Sequence, residues 1–346
     1  MDTTIAAILL QDGITNGAIY ALLALALVLI FAVTRVIFVP QGEFVSYGAL
    51  TVAAMQYGVM PGTVWLLLGA GVLTALLELK RAFGAGELRR APRILALYVG
   101  YPIGLWLLLR SLPLGELPMA LQIALMLALI VPLGPMIYRL AFQPLAEASV
   151  LVLLIVAIAV HFALQGLGLL FFGPEGSRTQ AFTDLLFDVG VLSISGQSLF
   201  VVGATALLIV ALYLFFERTL YGKALRATAI NRVGARLVGV SIPLSGTLTF
   251  TLAALIGALS GALIGPITTI YYDSGFLIGL KGFVAAIIGG LVSYPIAAAG
   301  AILVGVMEAF AAFWTSEFKE VIVFTLIIPV LLWRSLTSQH VEEEEE

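Results

Sequence analysis

Residues 14–33 read ITNGAIYALLALALVLIFAV and lie between Asp12 and Arg35 without a charged side chain. A helix of about 20 apolar residues is long enough to cross the hydrocarbon core of a bilayer. The stretch therefore predicts a membrane-spanning helix. We do not interpret it as a secretory signal, because Asp2 and Asp12 precede it where a signal peptide carries basic residues, and a small-residue cleavage site is lacking.

The rest of the chain shares this apolar composition. Of its 346 residues, 61% are hydrophobic and 11% are charged, whereas about 25% of the residues in a soluble domain are charged. At about 20 residues per span, about ten or eleven spans leave enough chain for loops and ends. The sequence predicts an all-α, polytopic transmembrane helical bundle of about 9–11 spans, some of them broken or re-entrant.

Apolar stretches without Asp, Glu, Lys or Arg, divided at Gly and Pro, mark the individual helices. We predict helices near 14–33, 44–59, 63–77, 94–109, 118–138, 150–172, 199–216, 244–264, 276–292, 296–314 and 321–333. Several of these are shorter than the roughly 17 residues that a span requires. They are either tilted, packed helices or half-helices that the surrounding protein shields from lipid.

The number of Lys and Arg residues in alternate loops indicates the orientation. One set of loops holds 13 of them: Arg35, Lys80, Arg81, Arg89, Arg90, Arg93, Arg139, Arg218, Lys223, Arg226, Arg232, Arg236 and Arg334. The other set holds Arg110, Arg178 and Lys319, and Lys281 is not assigned. Because cytoplasmic loops carry the excess, we predict an external amino terminus, eleven spans and a cytoplasmic carboxyl terminus.

The pattern predicts a single transmembrane domain over residues 1–341, followed by an acidic tail at 342–346 that we interpret as solvated and disordered. The longest polar intervals are 78–93, 173–197 and 217–243, each too short to fold as a separate soluble domain. The sequence also lacks the G-x-x-x-x-G-K-[ST] loop that holds nucleotide phosphates. Any ATP hydrolysis would therefore be carried out by another polypeptide.

Composition argues against several kinds of chemistry. The chain has no Cys and two His, too few for thiolate catalysis or a His-rich metal centre. Its net charge of −3 includes five glutamates in the tail, and no basic footprint for nucleic acid remains. Ser260 precedes Gly261 but lacks the Gly two residues earlier that an intramembrane serine protease motif has. We predict no catalytic residue, no metal site, no cofactor and no nucleic-acid partner.

The polar interval Glu217–Pro243 reads ERTLYGKALRATAINRVGARLVGVSIP and lies between two predicted spans on the cytoplasmic side. From Gly222 to Val238, small and apolar residues alternate with three arginines at helical spacing, and Gly239 supplies a stop. The pattern predicts one short amphipathic helix with a small-residue face. Such a helix could rest on anionic headgroups, but it lacks the Trp and Phe anchors of membrane-surface helices. That absence favours docking of the small-residue face into a groove of another protein.

This interval resembles the cytoplasmic coupling segment of the H-type permease subunits of branched-chain amino acid importers of the ATP-binding-cassette class. Other parts of the chain are similar to the same family: Thr15–Leu22, Arg35–Ile37, Gln41–Glu43, Gly279–Phe283, Gly289–Leu291, Gly305 and Glu308-Ala309. The resemblance covers nearly the whole chain except about 78–117.

The resemblance implies a permease subunit without bond chemistry, in the cytoplasmic (inner) membrane of a bacterium or archaeon. The implied partners are a second permease subunit of the M type, two cytoplasmic ATPase subunits and an external substrate-binding protein, and the implied substrate is an amino acid. The residues implied to couple to the ATPase are Gly222, Lys223, Ala224, Leu225, Arg226, Ala227, Thr228, Asn231, Arg232, Ala235, Arg236 and Gly239.

Candidates for the translocation path come from these motifs and from ionisable residues that interrupt apolar segments, which are costly in a membrane and commonly functional. They are Asn16, Tyr20, Gln41, Glu43, Phe44, Lys281, Phe283 and Glu308. Glu43 and Lys281 begin apolar helices and could instead be interfacial caps or snorkelling side chains. Glu308 lies within a span, which favours a place inside the bundle. We interpret His161 as a hydrogen-bonded packing residue rather than a proton relay.

The chain departs from the family pattern in two places. Phe38-Val39-Pro40-Gln41 stands where the family usually has Asn-Phe-Ala-His, so the choice of substrate could differ. Residues 78–117 are interpreted as an inserted hairpin with a basic cytoplasmic loop. A urea or short-chain amide importer permease is an alternative that the sequence does not separate from the amino acid permease. The coupling-like segment argues against an ion-coupled secondary transporter.

Overall fold

The longest helix, α1 (Thr3–Thr34), forms the centre of the bundle in the computed structural model, which describes residues 3–189 and 192–337. Every residue from 17 to 30 is buried. The helix packs mainly along Tyr294–Trp314 and also against Ile242–Ile264 and Ser274–Ile288. An apolar helix that is buried on all sides belongs to the interior of a membrane bundle, so the stretch that predicts the first span also supplies the core.

Further helices surround α1. They are α2 (Glu43–Gln56), α3 (Thr63–Gly84), α4 (Ala91–Ser111), α5 (Met119–Leu145), α6 (Val150–Phe172), α7 (Gly196–Arg218), α8 (Leu220–Ile230), α9 (Arg232–Leu237), α10 (Ile242–Ile264), α11 (Ser274–Ile288), α12 (Tyr294–Trp314), α13 (Lys319–Thr325) and α14 (Ile327–Thr337). Strands β1 (Leu186–Val189) and β2 (Leu192–Ser195) form an antiparallel hairpin before α7.

The predicted helical bundle is confirmed, since each of the eleven predicted apolar helices overlaps an observed helix. Within the described residues, eight helices are long and apolar enough to cross a membrane: α1, α3, α4, α5, α6, α7, α10 and α12. The helices α2 and α11 have 14 and 15 residues, which at 1.5 Å per residue gives about 21–23 Å against a hydrocarbon core of about 30 Å. The last predicted helix is interrupted at Leu326 between α13 and α14.

The two short helices meet at a glycine contact. A Cβ atom added to Gly42, just before α2, would lie 1.8 Å from the carbonyl oxygen of Gly275 in α11 and 3.1 Å from the Cα of Gly279. Such a distance leaves no room for a side chain, because the obstacle is backbone. Glycine at these positions lets the turn before α2 and the first turns of α11 touch directly, inside the protein and away from lipid.

We expect Gly42→Ala to destabilise the protein by about 3 kcal/mol or more, because the added methyl group forces apart two backbones in a packed interior. The matched control is Gly69→Ala in α3, where an added Cβ meets nothing within 4 Å; this change should be neutral or slightly stabilising, because alanine favours helix. Thermal unfolding of both variants in the same detergent is the measurement. An unfolding temperature of Gly42→Ala equal to that of the unaltered protein would show that the close approach is absent.

Loops of the two predicted sets collect at opposite ends of the bundle. At one end, the backbone N–H of Gln180 donates to Gln56 Oε1 at 2.9 Å. At the same end, the Arg178 guanidinium donates to the carbonyls of Pro266 and Ile267. At the other end, the Arg81 guanidinium donates to Gln143 Oε1 at 3.4 Å. The helices therefore alternate in direction as the charge pattern predicts.

Candidate functional site

A cavity of about 560 Å³ lies beside the amino-terminal half of α1. Its walls come from α1, the start of α7, the end of α10 with the loop that follows, α11, α12 and α13. Four of the eight predicted path residues line it: Asn16, Tyr20, Lys281 and Glu308. These residues are far apart in sequence, and the packing of α1 against α11 and α12 brings them together.

Three of these four side chains form one buried network. The Lys281 ammonium donates to Glu308 Oε1 at 2.5 Å, and the Tyr20 hydroxyl donates to Glu308 Oε2 at 2.6 Å. Lys281 is 5% exposed and Glu308 is 8% exposed. The prediction that Glu308 lies inside the bundle is confirmed, and the alternative that Lys281 snorkels to an interface is wrong, because its charge is neutralised within the protein.

The network joins three helices. Tyr20 belongs to α1, Lys281 to α11 and Glu308 to α12, and the Lys281 ammonium also lies 5.7 Å from the centre of the Tyr20 ring. Glu320 at the start of α13 lies 3.9 Å from the Lys281 ammonium, has a side chain that is 33% exposed, and also lines the cavity. A buried ion pair is costly to break when one partner is removed. The arrangement therefore fixes how the three helices sit around the cavity.

The other four predicted path residues do not line this cavity. Gln41 is buried, and its side-chain amide donates to the carbonyl of Ala253 at 3.0 Å. Phe44 packs among aromatic rings, with its centroid 5.9 Å from that of Phe38, and Phe283 packs against the apolar core. These three side chains pack inside the bundle and do not face this cavity, and their place on the translocation path stays a prediction.

Glu43, the fourth, pairs with His161 instead. Its Oε1 lies 2.8 Å from His161 Nδ1, and both residues are buried. The carboxylate therefore connects α2 to α6 and is not an interfacial cap. His161 also stacks on Phe276, with ring centroids 4.6 Å apart. The interpretation of His161 as a hydrogen-bonded packing residue is confirmed by these contacts.

Sequence reasoning missed several polar residues of the cavity. Asp12, Lys319 and Glu320 line it together with Thr268 and Thr269. Their only signal in the sequence is their place at helix ends and in a short loop, where charged and hydroxyl side chains are ordinary. Recognition of their role required knowing that the start of α1, the end of α10 and the start of α13 share one end of the bundle.

The predicted coupling segment forms two helices, α8 and α9, and the prediction of one continuous helix from Gly222 to Val238 is wrong. Asn231 adopts an extended backbone conformation with φ −150°, and its side-chain oxygen accepts from the Gly234 amide at 2.8 Å. An asparagine that caps a new helix in this way interrupts the previous one. The stop at Gly239 is confirmed, since it follows α9 with φ +90°.

The small-residue face of this segment is directed into its own bundle. Leu225 is buried against Leu29 and Val33 of α1, and the Thr228 hydroxyl lies 3.2 Å from that of Ser245. Gly222 and Ala235 are also buried, and Ala224, Ala227 and Arg232 are half-buried. Much of this face is therefore covered by α1 and α10 of the same chain, which an isolated sequence does not show, and docking of the segment on an ATPase stays a prediction.

A different face of the segment is exposed. Its apolar members are Ile230, Val233, Leu237 and Val238, each at least 70% exposed. Its polar members Lys223, Arg226, Asn231 and Arg236 are exposed as well, with Arg226 paired to Glu217 at the end of α7. This exposed face of the predicted coupling segment, named the coupling surface below, lies at the opposite end of the bundle from the cavity, because α7 begins beside the cavity and ends at α8.

Comparisons with known proteins place the chain in a family. The chain matches the family described as "Branched-chain amino acid transport system / permease component" over residues 94–331. The chain belongs to this family. It is therefore a multi-pass membrane protein of a family of transport permeases. The match begins inside the interval interpreted as an insertion, and that interpretation remains a prediction.

Curated members of the family are similar over most of their length. The permease protein BraD of Pseudomonas aeruginosa is 34% identical over 239 residues, which cover 66% of this chain and 77% of BraD. LivH of Escherichia coli K12 is 27% identical over 336 residues, which cover 93% of this chain and 91% of LivH. Both are described as parts of high-affinity branched-chain amino acid transport systems. No solved structure is found to match the chain.

Proposed function

We propose that this chain is a permease subunit of an ATP-driven importer that carries branched-chain or other hydrophobic amino acids and performs no bond chemistry. Membership of the permease family carries this proposal, and the names of its relatives favour amino acids over urea or short-chain amides. The proposed membrane is the cytoplasmic (inner) membrane of a bacterium or archaeon, with the carboxyl terminus in the cytoplasm. The residues of that terminus beyond 337 lie outside the described part.

The proposed assembly contains three further kinds of subunit. Two cytoplasmic ATPase subunits supply the energy, a second permease subunit of the M type completes the path, and an external binding protein delivers the substrate. The absence of a phosphate-binding loop in this sequence supports separate ATPases. The bundle has a polar cavity at one end and an exposed apolar face at the other. Two such different surfaces support a subunit that binds one partner at each end.

In this proposal the cavity is the external part of the translocation path. Its volume of about 560 Å³ accommodates a single amino acid, and its walls carry both carboxylates and ammonium groups. Lys281 and Glu308 satisfy each other when no substrate is present, which avoids an uncompensated charge in the membrane. A zwitterionic substrate brings one group of each sign and can interact with Lys281 and with the carboxylates nearby as it passes.

Coupling to the ATPases is assigned to the exposed face of α8 and α9. Movement of this face reaches the spans directly, because α8 follows α7 after Arg218, and α9 precedes α10 by a short turn. Leu225 and Thr228 tie α8 to α1 and α10. Closure of the ATPases can therefore shift α1, which lines the cavity at its other end, and so change access to the path.

The test of the proposed function is reconstitution. Purification of this chain from its native membrane should recover ATPase subunits, and proteoliposomes with the complete assembly should take up leucine, isoleucine or valine only with ATP and the external binding protein. Uptake driven by an ion gradient without ATP would contradict the proposal. Competition by urea or acetamide, with none by branched-chain amino acids, would assign the chain to the amide importers instead.

We expect the two ends of the bundle to differ completely in accessibility from outside the cell. Because the chain contains no Cys, Leu186→Cys and Val233→Cys each introduce one thiol at a position that is 68% and 70% exposed. In cells that produce this chain without its ATPase subunits, which are proposed to cover Val233, a membrane-impermeant maleimide should label Leu186→Cys before permeabilisation and Val233→Cys only after it. Labelling of Val233→Cys in intact cells would reverse the proposed orientation.

A further inference from the structure

A groove with two connected parts lies beside the carboxyl-terminal half of α1. One part, of about 390 Å³, is enclosed by α1, α7, α10 and α12 and has almost entirely apolar walls, including Leu25, Ile209 and Ile256. The other part, of about 310 Å³, lies between α1, α8 and the turn before α12. The two parts share Leu29, Phe216, Arg226 and Tyr294, so they form one lateral groove.

Two arginines lie in the walls of this lateral groove at the end occupied by α8. Arg226 is paired with Glu217, and both line the groove. Arg35 lines it as well; this residue is exposed, and its guanidinium carbon lies 6.0 Å from the centre of the Phe31 ring. Among the ion pairs within the described residues, Arg35 has none, so one positive charge at this mouth is not neutralised.

The backbone around the mouth is strained in two places. Arg35 has φ +61° and Leu291 has φ +59°, and within residues 3–189 and 192–337 these are the non-glycine residues with positive φ. Both line the same part of the groove. Residues other than glycine adopt this conformation at a cost, and such residues concentrate at ligand sites, where their side chains must be aimed. These two strained residues therefore favour this groove as a ligand site over the other apolar surfaces of the bundle.

We propose that the lateral groove binds an anionic phospholipid of the cytoplasmic leaflet. The apolar walls bind an acyl chain, which makes more van der Waals contacts inside the groove than on the outer surface of the bundle. The phosphate lies at Arg35 and Arg226. Arginine binds phosphate through paired N–H donors. The unneutralised charge favours a lipid with a net negative head over a zwitterionic one, and the cytoplasmic leaflet supplies such lipids. The leaflet follows from the orientation under the proposed function; the groove and its charge do not depend on that function.

The bound lipid has a defined structural consequence. It lies between α1 and α8, the two helices that Leu225 holds together. It also contacts Phe216 at the end of α7 and Tyr294 at the start of α12, whose rings are 6.0 Å apart. The lipid therefore supports the position of α8 and, through it, of the coupling surface.

Native mass spectrometry of the purified full-length chain tests the proposal with phosphatidylglycerol and phosphatidylcholine of identical acyl chains. We expect phosphatidylglycerol to be retained at least tenfold better. Arg35→Gln should reduce this preference about fivefold, the effect of one basic residue near an anionic membrane surface. The matched control is Arg93→Gln, an exposed arginine of the same loop set outside the groove, and it should leave the preference unchanged.

A second variant separates the groove from surface charge. Ala298→Trp places bulk in the apolar part and should reduce retention of both lipids, while thermal unfolding in phosphatidylcholine shows whether the variant is folded. Equal retention of the two lipids by the unaltered chain, or an unchanged preference in Arg35→Gln, would overturn the proposal. A third variant, Val292→Cys, places a thiol in the wall of the groove. Crosslinking of this thiol to another permease chain in membranes, together with no retained lipid, would also overturn the proposal. None of these experiments measures uptake. The proposed lipid site can therefore be disproved without affecting the proposed transport function, and the reverse also holds.

Discussion

Glu308→Gln is expected to reduce substrate uptake at least tenfold while the protein still reaches the membrane. Glutamine can still accept from the Tyr20 hydroxyl, but it leaves the Lys281 ammonium with only Glu320, at 3.9 Å and partly exposed. Removal of one partner of a buried ion pair costs about 3–5 kcal/mol, which is enough to change the balance between conformations of the path. Uptake of radiolabelled leucine by proteoliposomes at equal permease content is the measurement.

Two further variants decide whether the effect concerns the path or only stability. Glu317→Gln removes an exposed carboxylate at the same end of the bundle and should leave uptake unchanged. The double variant Lys281→Met with Glu308→Leu replaces the pair by apolar side chains, which is often neutral for stability. We expect this double variant to be stable and still defective in uptake. Normal uptake by it would remove the ion pair from the path and leave it a structural role.

The second large effect is expected at the coupling surface. Val233→Asp combined with Leu237→Asp should weaken binding of the ATPase about 30-fold, because both side chains are more than two thirds exposed and are the best candidates for a buried contact with a partner. A loss of about 2 kcal/mol corresponds to this change in the dissociation constant. The neighbouring buried residues Leu225 and Ala235 are untouched, so the fold of α8 and α9 should persist. Biolayer interferometry with purified ATPase subunits measures the binding.

The matched control is Tyr57→Asp combined with Val59→Asp, which introduces the same two charges at exposed positions at the other end of the bundle. It should leave ATPase binding unchanged. Exchange of the Glu217 and Arg226 side chains preserves their mutual ion pair and reverses the charges presented to a partner. We expect it to weaken binding without loss of thermal stability. Unchanged affinity in the aspartate double variant would exclude this face as the docking site, and the segment would then be an interfacial helix.

Much of the fold follows from the sequence because a bilayer restricts the choices. In hydrocarbon, backbone groups must be satisfied within a helix, so uncharged apolar stretches predict helices with little ambiguity. Residues 150–172 are an example, since the predicted and observed bounds of α6 coincide. Loop charges likewise predict the alternation of the two ends, as the contacts of Arg178 and Arg81 show. Family membership was also readable, since its motifs are short, local patterns.

The sites depended on tertiary structure, because contacts between distant helices are not encoded in local periodicity. Glu308 and Lys281 were recognisable as costly charges in apolar segments, but their pairing with Tyr20 required α1 to pack against both α11 and α12. Glu43 had the same sequence signal and became a partner of His161 instead. For the coupling segment, the sequence determined its amphipathic character and its glycine stop. Only the packing of Leu225 and Thr228 on α1 and α10 decided which face is left exposed, because a helix buries the side for which a complementary surface exists.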